Sequence, residues 1–151
     1  MQKLIFPSFD LKLREAKQRT QIFDVFRNKY VVLTPEEWVR QHLAHYLVNR
    51  IGYPKGLMHI EAAVNVNGLN KRADIVIYNQ NLRPWMICEC KKPEVKLDQK
   101  VFEQTAIYNI KFQVPFLLIS NGLQLLCAEV DFNTNEHRFM EALPPFPTIS
   151  T

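Results

Sequence analysis

Three charged residues, Asp74, Glu89 and Lys91, interrupt two otherwise apolar stretches of the sequence. Charges are costly inside a core unless they are paired, hydrated or bound to a metal. Residues two apart on a strand share a face, so Glu89 and Lys91 should point one way and the cysteines at 88 and 90 the other. If the strand that contains Asp74 is a neighbour, its carboxylate can meet that of Glu89 across the ladder.

Two adjacent carboxylates repel each other unless a positive charge lies between them. Mg²⁺ prefers oxygen ligands and is usually held by one or two carboxylates together with phosphate and water. Lys91 would then adjoin both metal and substrate, where an ammonium group can stabilise a developing phosphate charge or orient a water. Metal-assisted phosphodiester hydrolysis requires this combination of groups.

A helix is predicted to begin immediately after Thr34, which is a favoured capping residue. Pro35 suits the first helical position, and acidic residues such as Glu36 and Glu37 are stabilised near the positive end of a helix. Glu37 also has the spacing of a capping box. Apolar residues then repeat at helical spacing as far as the Gly-Tyr-Pro segment that ends the helix.

The rest of the chain alternates strands with one further helix. Strands are predicted at residues 60–66, 71–78, 85–91, 115–120 and 123–130, and the second helix at 97–112. The order α-β-β-β-α-β-β predicts a small α/β domain in which helices flank one mixed sheet. We expect a single domain over residues 1–151 with a core at about 34–130. Residues 1–33 would be an N-terminal extension with a short helix or strand, and residues 131–151 an extended tail.

The composition is that of an ordinary globular protein, since 47% of the 151 residues are hydrophobic and 23% are charged. The net charge of +4 is compatible with nucleic-acid binding, but solubility explains it equally well. No apolar run approaches the roughly 20 residues that span a bilayer. The N-terminus is a poor signal peptide, so a cytoplasmic location is expected.

Other site chemistries find little support in the sequence. The four glycines form neither a phosphate-binding loop nor a dinucleotide fingerprint. The three cysteines include no CxxC pair, which favours reduced thiols that pack as small apolar groups. His42 and His45 lie three apart on the predicted helix, but no cysteine or acid lies at zinc-site spacing from them.

Asp74 followed by Glu89-Cys90-Lys91 resembles the D…ExK signature of the PD-(D/E)xK nuclease superfamily. Ala73 stands where the superfamily name has proline, a position that varies. Five segments in order narrow the resemblance: TPEEWVRQ, KRADIVIY, ICECKKP, Gln104 with Tyr108 as QxxxY, and LLISNG. Together they resemble the N-terminal nuclease domain of type I restriction enzyme R subunits over residues 34–126.

This resemblance implies a restriction-endonuclease-like core with the order α-β-β-β-α-β and a Mg²⁺-dependent DNA endonuclease activity. Asp74 and Glu89 would be metal ligands and Lys91 the catalytic lysine, with Mn²⁺ as a possible substitute for Mg²⁺. A glutamate from a helix often completes such sites. Here Glu36 is favoured over Glu37, because its spacing places it along the buried stripe of the helix.

The resemblance also implies residues that support the site and partners that use it. Gln104 and Tyr108 share a helix face and would contact DNA or brace the site. Lys92, with the lysines at positions 71, 96 and 100, would track DNA phosphates. Type I R subunits carry a translocating ATPase after this domain, so the expected partners are DNA and motor, specificity or modification subunits. No membrane partner is expected, and the oligomeric state stays open.

Structural explanations compete with these assignments. Glu89 and Lys91 could form a solvated pair on an exposed strand face, and Asp74 could simply pair with Arg72. The lysines could belong to an ordinary solvated surface. For the whole chain, the alternative is a non-catalytic DNA-binding or assembly module that retains the nuclease fold.

Overall fold

Two β-sheets and two long helices make up the fold, which a computed structural model describes for residues 1–148. The strands are β1 (Leu13–Ala16), β2 (Arg19–Asp24), β3 (Lys29–Val32), β4 (Met58–Val66), β5 (Leu69–Tyr78), β6 (Pro84–Cys90), β7 (Phe116–Ser120), β8 (Leu125–Asp131) and β9 (Glu136–Met140). The helices are α1 (Pro35–Tyr46) and α2 (Gln99–Ile110), with a π-helical turn at Leu47–Ile51 and a 3-10 turn at Lys55–Leu57. The last three residues of the predicted 131–151 tail lie outside the described part of the chain.

The six C-terminal strands form one mixed sheet in the order β4-β5-β6-β7-β8-β9. Only β6 and β7 are parallel, and α2 supplies the crossover that a parallel pair needs. The predicted α/β fold with the order α-β-β-β-α-β-β is therefore confirmed. The tail differs from the prediction, because residues 136–140 add β9 antiparallel to β8.

The N-terminal extension contains three strands where a short helix or strand was predicted. β1, β2 and β3 form an antiparallel sheet of their own. The β1–β2 turn places Lys17 and Gln18 at φ of 55° and 62°. Tight hairpin turns with positive φ usually carry Asn-Gly or Asp-Gly, so this sequence lacks the ordinary hairpin signal.

Helix α1 begins where its capping residues predict. Thr34 Oγ1 accepts a hydrogen bond from the Glu37 backbone N–H at 3.0 Å, and Pro35 is the first helical residue. The π-helical turn that follows ends at Gly52, whose φ of 88° favours glycine. No helix within residues 1–148 has the combined length and apolar character needed to cross a membrane.

The large sheet separates two apolar layers. The layer beneath α1 contains Val39, Leu43, Leu47, Ile75, Ile77, Met86, Cys88 and Cys90. The layer against α2 contains Phe102, Ala106, Val76, Ile87, Leu117 and Ile119. The predicted orientation of the third strand is confirmed, because its cysteines enter the α1 layer and Glu89 follows Ile87 onto the opposite face.

The two faces of the β4–β5 hairpin change places part-way along its length, so that the face that points towards α1 in one half points towards α2 in the other. Ile60 and Ile75 pack in the α1 layer, whereas Val64 and Ala73, which strand alternation places on the same face, pack in the α2 layer. The ladder omits the pair at Glu61 opposite Asp74, and Glu61 has a φ of 50°. This local twist carries the outer half of the hairpin over towards α2.

Candidate active site

The carboxylates of Asp74 and Glu89 lie side by side at the end of the β5–β6 ladder. The last paired residues are Ile75 and Cys88, and the same register brings Asp74 opposite Glu89. Asp74 Oδ2 accepts a hydrogen bond from the Cys90 backbone N–H at 2.8 Å. The side chain therefore takes the place of a backbone acceptor just beyond the last pair of the ladder. Burial raises the pKa of Glu89, and the negative charge of Asp74 raises it further.

Arg40 of α1 binds the other oxygen of Asp74. Its Nη2 donates to Asp74 Oδ1 at 2.8 Å, and its Nη1 donates to Glu37 at 2.8 Å. The same Nη2 lies 3.4 Å from Glu61 and 3.9 Å from Glu36. Burial alone would lower the pKa of Arg40, but the surrounding carboxylates, Asp74 first among them, raise it. Asp74 thus pairs with a buried arginine on α1, and the alternative of a pair with Arg72 is wrong.

A second arginine extends this network to the N-terminal sheet. Arg27 Nη2 donates to Glu37 at 2.6 Å and its Nη1 to Glu61 at 3.2 Å, while its Nε pairs with Asp24. Asp24 Oδ1 also accepts the backbone N–H groups of Phe26 and Arg27 at 2.7 and 3.0 Å. Sequence analysis missed both arginines, since neither forms a recognisable motif with a residue more than 30 positions away.

The two acids at the start of α1 occupy different environments. Glu37 is the buried one, with 7% of its side chain exposed, whereas 49% of the Glu36 side chain is exposed. The expectation that Glu36 lies along the buried stripe is therefore wrong, because the stripe at this end of α1 includes Glu37. Partial burial and then the charge of Asp74 raise the pKa of Glu36, and Lys91 opposes that rise. Glu36 and Asp74 share the Arg40 Nη2 atom as a neighbour, at 3.9 and 2.8 Å, so the two carboxylates lie near each other. The role of Glu36 as a metal ligand stays a prediction.

Glu89 is paired with Lys71 of β5. Only 9% of the Lys71 side chain and 13% of the Glu89 side chain are exposed. Glu89 is therefore largely buried and pairs with Lys71, which differs from the alternative of a solvated pair with Lys91. The Lys71 ammonium also lies 4.7 Å from the centre of the Tyr108 ring on α2, a cation–π contact. Tyr108 therefore contacts the Lys71 ammonium, and it acts on Glu89 indirectly through that lysine.

The remaining predicted residues line the periphery. Lys91 is half-buried and makes no salt bridge within residues 1–148, while its backbone N–H donates to Ser120 at 2.8 Å. Lys92 and Gln104 are exposed, and Gln104 lies on the α2 surface one turn before Tyr108. The structure thus brings Asp74 close to Glu89 and Glu36, places Lys91 directly after Cys90, where β6 ends, and leaves Lys92 and Gln104 at the surface.

The charges around Asp74 and Glu89 suit an additional cation. Six carboxylates and four cations make up these ion pairs and the charged groups nearest to them, which leaves a formal charge of −2. The carboxylates are Asp24, Glu36, Glu37, Glu61, Asp74 and Glu89, and the cations are Arg27, Arg40, Lys71 and Lys91. Hard oxygen donors with unmatched negative charge fit Mg²⁺. Within the described residues, no group of three or more His, Cys, Asp or Glu side chains is already arranged as a metal cage.

Both histidines on α1 belong to an aromatic cluster. His42 Nδ1 lies 2.9 Å from the Trp38 carbonyl, and the ring packs against Trp38 and Phe9. His45 stacks on Phe9 at 3.8 Å and meets the edge of Phe26. These contacts account for both side chains by packing.

Comparison with known sequences identifies the family. Residues 35–144, most of the chain, match the family described as type I restriction enzyme R protein N terminus (HSDR_N). The chain belongs to this family. Membership supports a nuclease-like fold for this chain, and it agrees with the resemblance drawn from the motifs.

Other comparisons add little to the family assignment. No curated protein matches the chain. Among solved structures, this chain is similar to a DUF820 protein from Anabaena variabilis that has been proposed to be a nuclease. The two share 10% identity with a TM-score of 0.48, over 89% of this chain and 85% of the other.

Proposed function

We propose that this chain is a Mg²⁺-dependent DNA endonuclease domain of the restriction R-subunit type, which hydrolyses phosphodiester bonds. One observation carries the proposal: in a member of a restriction enzyme family, Asp74 and Glu89 lie opposite each other, one position beyond the last paired residues of the β5–β6 ladder. Glu36 on α1 lies 3.9 Å from the same Arg40 Nη2 atom that binds Asp74. The excess negative charge of this set supports the binding of a divalent cation.

The proposed chemistry assigns each residue one task. Asp74, Glu89 and Glu36 would hold Mg²⁺, which when bound polarises the scissile phosphate and lowers the pKa of a water. Lys91, half-buried and without a salt bridge in the described part of the chain, is available to donate to a phosphate oxygen. An ammonium group in that place stabilises the charge that develops on the phosphate.

DNA would approach over the surface next to β6 and α2. Lys92, Lys96 and Lys100 are all exposed there. Lysine contacts to phosphates give affinity without reading sequence, so choice of target would come from specificity or modification subunits. Movement along DNA would come from a motor partner.

A plasmid-cleavage assay tests the proposal. Wild-type protein should nick or linearise plasmid in the presence of Mg²⁺ or Mn²⁺, and the cleavage should stop when EDTA is added. Asp74→Ala and Lys91→Ala should each lower the rate on the order of 10²–10³-fold, because each removes a group that acts on the reacting phosphate. Lys111→Ala, an exposed lysine at the end of α2, should cut as wild type does.

A non-catalytic DNA-binding or assembly module is the second candidate. It is favoured by the fact that Asp74 and Glu89 each already hold a cation of the protein, Arg40 and Lys71. Such a module would shift DNA in a gel without cutting it in either metal. Equal cutting by wild type and both alanine variants would refute the endonuclease proposal, provided that the variants unfold at wild-type temperatures.

A further inference from the structure

Glu89 has a counter-ion that the ExK motif does not contain. Lys71 lies eighteen positions earlier in the chain, and its ammonium pairs with Glu89 Oε1. Both side chains are largely buried, so the pair is little screened by solvent. Lys71 thereby supplies the positive charge that the largely buried Glu89 carboxylate needs as a partner.

The face exchange of the hairpin places Lys71 there. Lys71 pairs with Val64 across the β4–β5 ladder, and Val64 packs in the α2 layer. Simple alternation from Ile75 would have put Lys71 in the opposite, α1 layer. The twist at Glu61 therefore delivers the ammonium to the face that carries Glu89.

Lys71 is held much less tightly than Arg40, the cation on the other carboxylate. Arg40 bonds to the buried Glu37 as well as to Asp74, and Glu37 is itself bound by Arg27. Lys71 has one carboxylate partner and one ring contact, and that ring belongs to the exposed Tyr108. A lysine side chain can swing away from such a pair without breaking a wider network.

We propose that Lys71 is a displaceable counter-ion, held on Glu89 by Tyr108, which a divalent cation must push aside to bind this carboxylate. This inference rests on the metal site proposed above. Lys71 keeps Glu89 neutralised and in place before metal arrives. Once displaced, its ammonium lies at the edge of the site towards α2, where it can meet a DNA phosphate. Lys71 is thus a positioning residue, and Tyr108 acts through it.

Metal affinity measures the competition directly. Mn²⁺ binding is followed at pH 8 by electron paramagnetic resonance on the full chain without DNA. Lys71→Met should bind Mn²⁺ about tenfold more tightly than wild type, because the competing charge is gone. Lys71→Arg should stay close to wild type, and Tyr108→Leu should fall between wild type and Lys71→Met. The matched control, Lys111→Met, removes an exposed lysine at the C-terminal end of α2, the helix that carries Tyr108, and should change nothing.

Thermal unfolding supplies a readout that is independent of affinity. In EDTA, Lys71→Met should unfold several degrees below wild type, because Glu89 is left buried without its partner. Saturating Mn²⁺ should close that gap, since the metal replaces the lysine. A gap of equal size with and without Mn²⁺ would show that Lys71 is merely structural.

The outcomes separate this inference from the proposed function. Wild-type protein that binds Mn²⁺, with Lys71→Met binding it no more tightly, overturns the role of Lys71 and leaves the metal site intact. Wild-type protein that binds no Mn²⁺ at millimolar concentration overturns the metal site and the displacement together.

Discussion

Arg40 is the residue through which the helix and the sheet share their buried charges. It lies between Glu37 on its own helix and Asp74 on β5, with its side chain buried. A buried charge that lacks a partner is costly. Removal of Arg40 would therefore destabilise both Glu37 and Asp74, because each carboxylate would lose a buried cation. The stability of the site without metal should therefore depend on Arg40 more than on any surface pair.

Arg40→Met should lower the free energy of unfolding by about 3–5 kcal/mol, because Glu37 and Asp74 lose a buried partner. Urea denaturation measures this change. Arg138→Met is the matched control, since Arg138 pairs with Glu129 at the surface with 77% and 41% of the side chains exposed. That pair should contribute less than about 1 kcal/mol. Similar losses in the two variants would contradict the structural role given to Arg40.

At the scale of elements, the β4–β5 hairpin supplies one member of each buried ion pair at the site. Its strand β5 carries Asp74, which pairs with Arg40, and Lys71, which pairs with Glu89. The face exchange of the hairpin depends on Glu61, which adopts a positive φ that costs about 1–2 kcal/mol for a residue with a Cβ. The Glu61 carboxylate offsets part of this cost by its contacts with Arg27 and Arg40. The strained backbone and the charge network thus occur at the same position.

Glu61→Gly should be more stable than Glu61→Ala by about 1 kcal/mol. Both variants lose the carboxylate, but glycine adopts a φ of 50° without the Cβ penalty. Their urea unfolding curves, measured side by side, give the difference. An alanine variant as stable as the glycine variant would mean that the hairpin does not use a left-handed residue here.

The sequence predicts some elements of the fold and misses others. The helix start at Thr34, the strand that carries Glu89 and the crossover helix were all predicted, because caps and apolar periodicity are local signals. The N-terminal sheet was missed, because Lys17 and Gln18 occupy its positive-φ turn. The preference for Glu36 rested on a helical stripe, which the structure corrects, since Glu37 is the buried acid of the pair.

At the scale of the whole molecule, the N-terminal segment and sheet close over α1. Phe9 stacks on His45, and Phe26 meets the same ring edge-on. Burial lowers the pKa of both His42 and His45. For His45, the charges of His42 and Lys55 lower the pKa further, and that of Asp24 opposes them. The interface is therefore built around neutral imidazoles.

Acidification should weaken this interface. An unfolded histidine has a pKa of about 6.5, so below that pH the unfolded chain takes up protons that the folded one refuses. The stabilisation is fully present above pH 6.5 and is lost as the pH falls towards the lowered folded-state values. The unfolding temperature, followed from pH 7.5 to 5.5, should fall more steeply for wild type than for His42→Gln/His45→Gln.

The comparison with the double variant isolates the histidines from other groups. Glu36 and Glu89 have raised pKa values, which act in the opposite direction on acidification, but they are present in both proteins. Parallel pH profiles for wild type and the double variant would show that His42 and His45 do not titrate at the interface.

The sequence by itself predicted the order of the elements, because caps and apolar periodicity are local signals. It predicted that Asp74 meets Glu89 only if their strands are neighbours, and the antiparallel pairing of β5 with β6 supplies that condition. The tertiary structure alone decided which cations neutralise those acids. Arg40 reaches Asp74 only because α1 packs on β5, and Lys71 reaches Glu89 only because the hairpin exchanges faces at Glu61. Strand alternation from Ile75 would place Lys71 on the opposite face of the sheet, and no local rule predicts a positive φ at a glutamate.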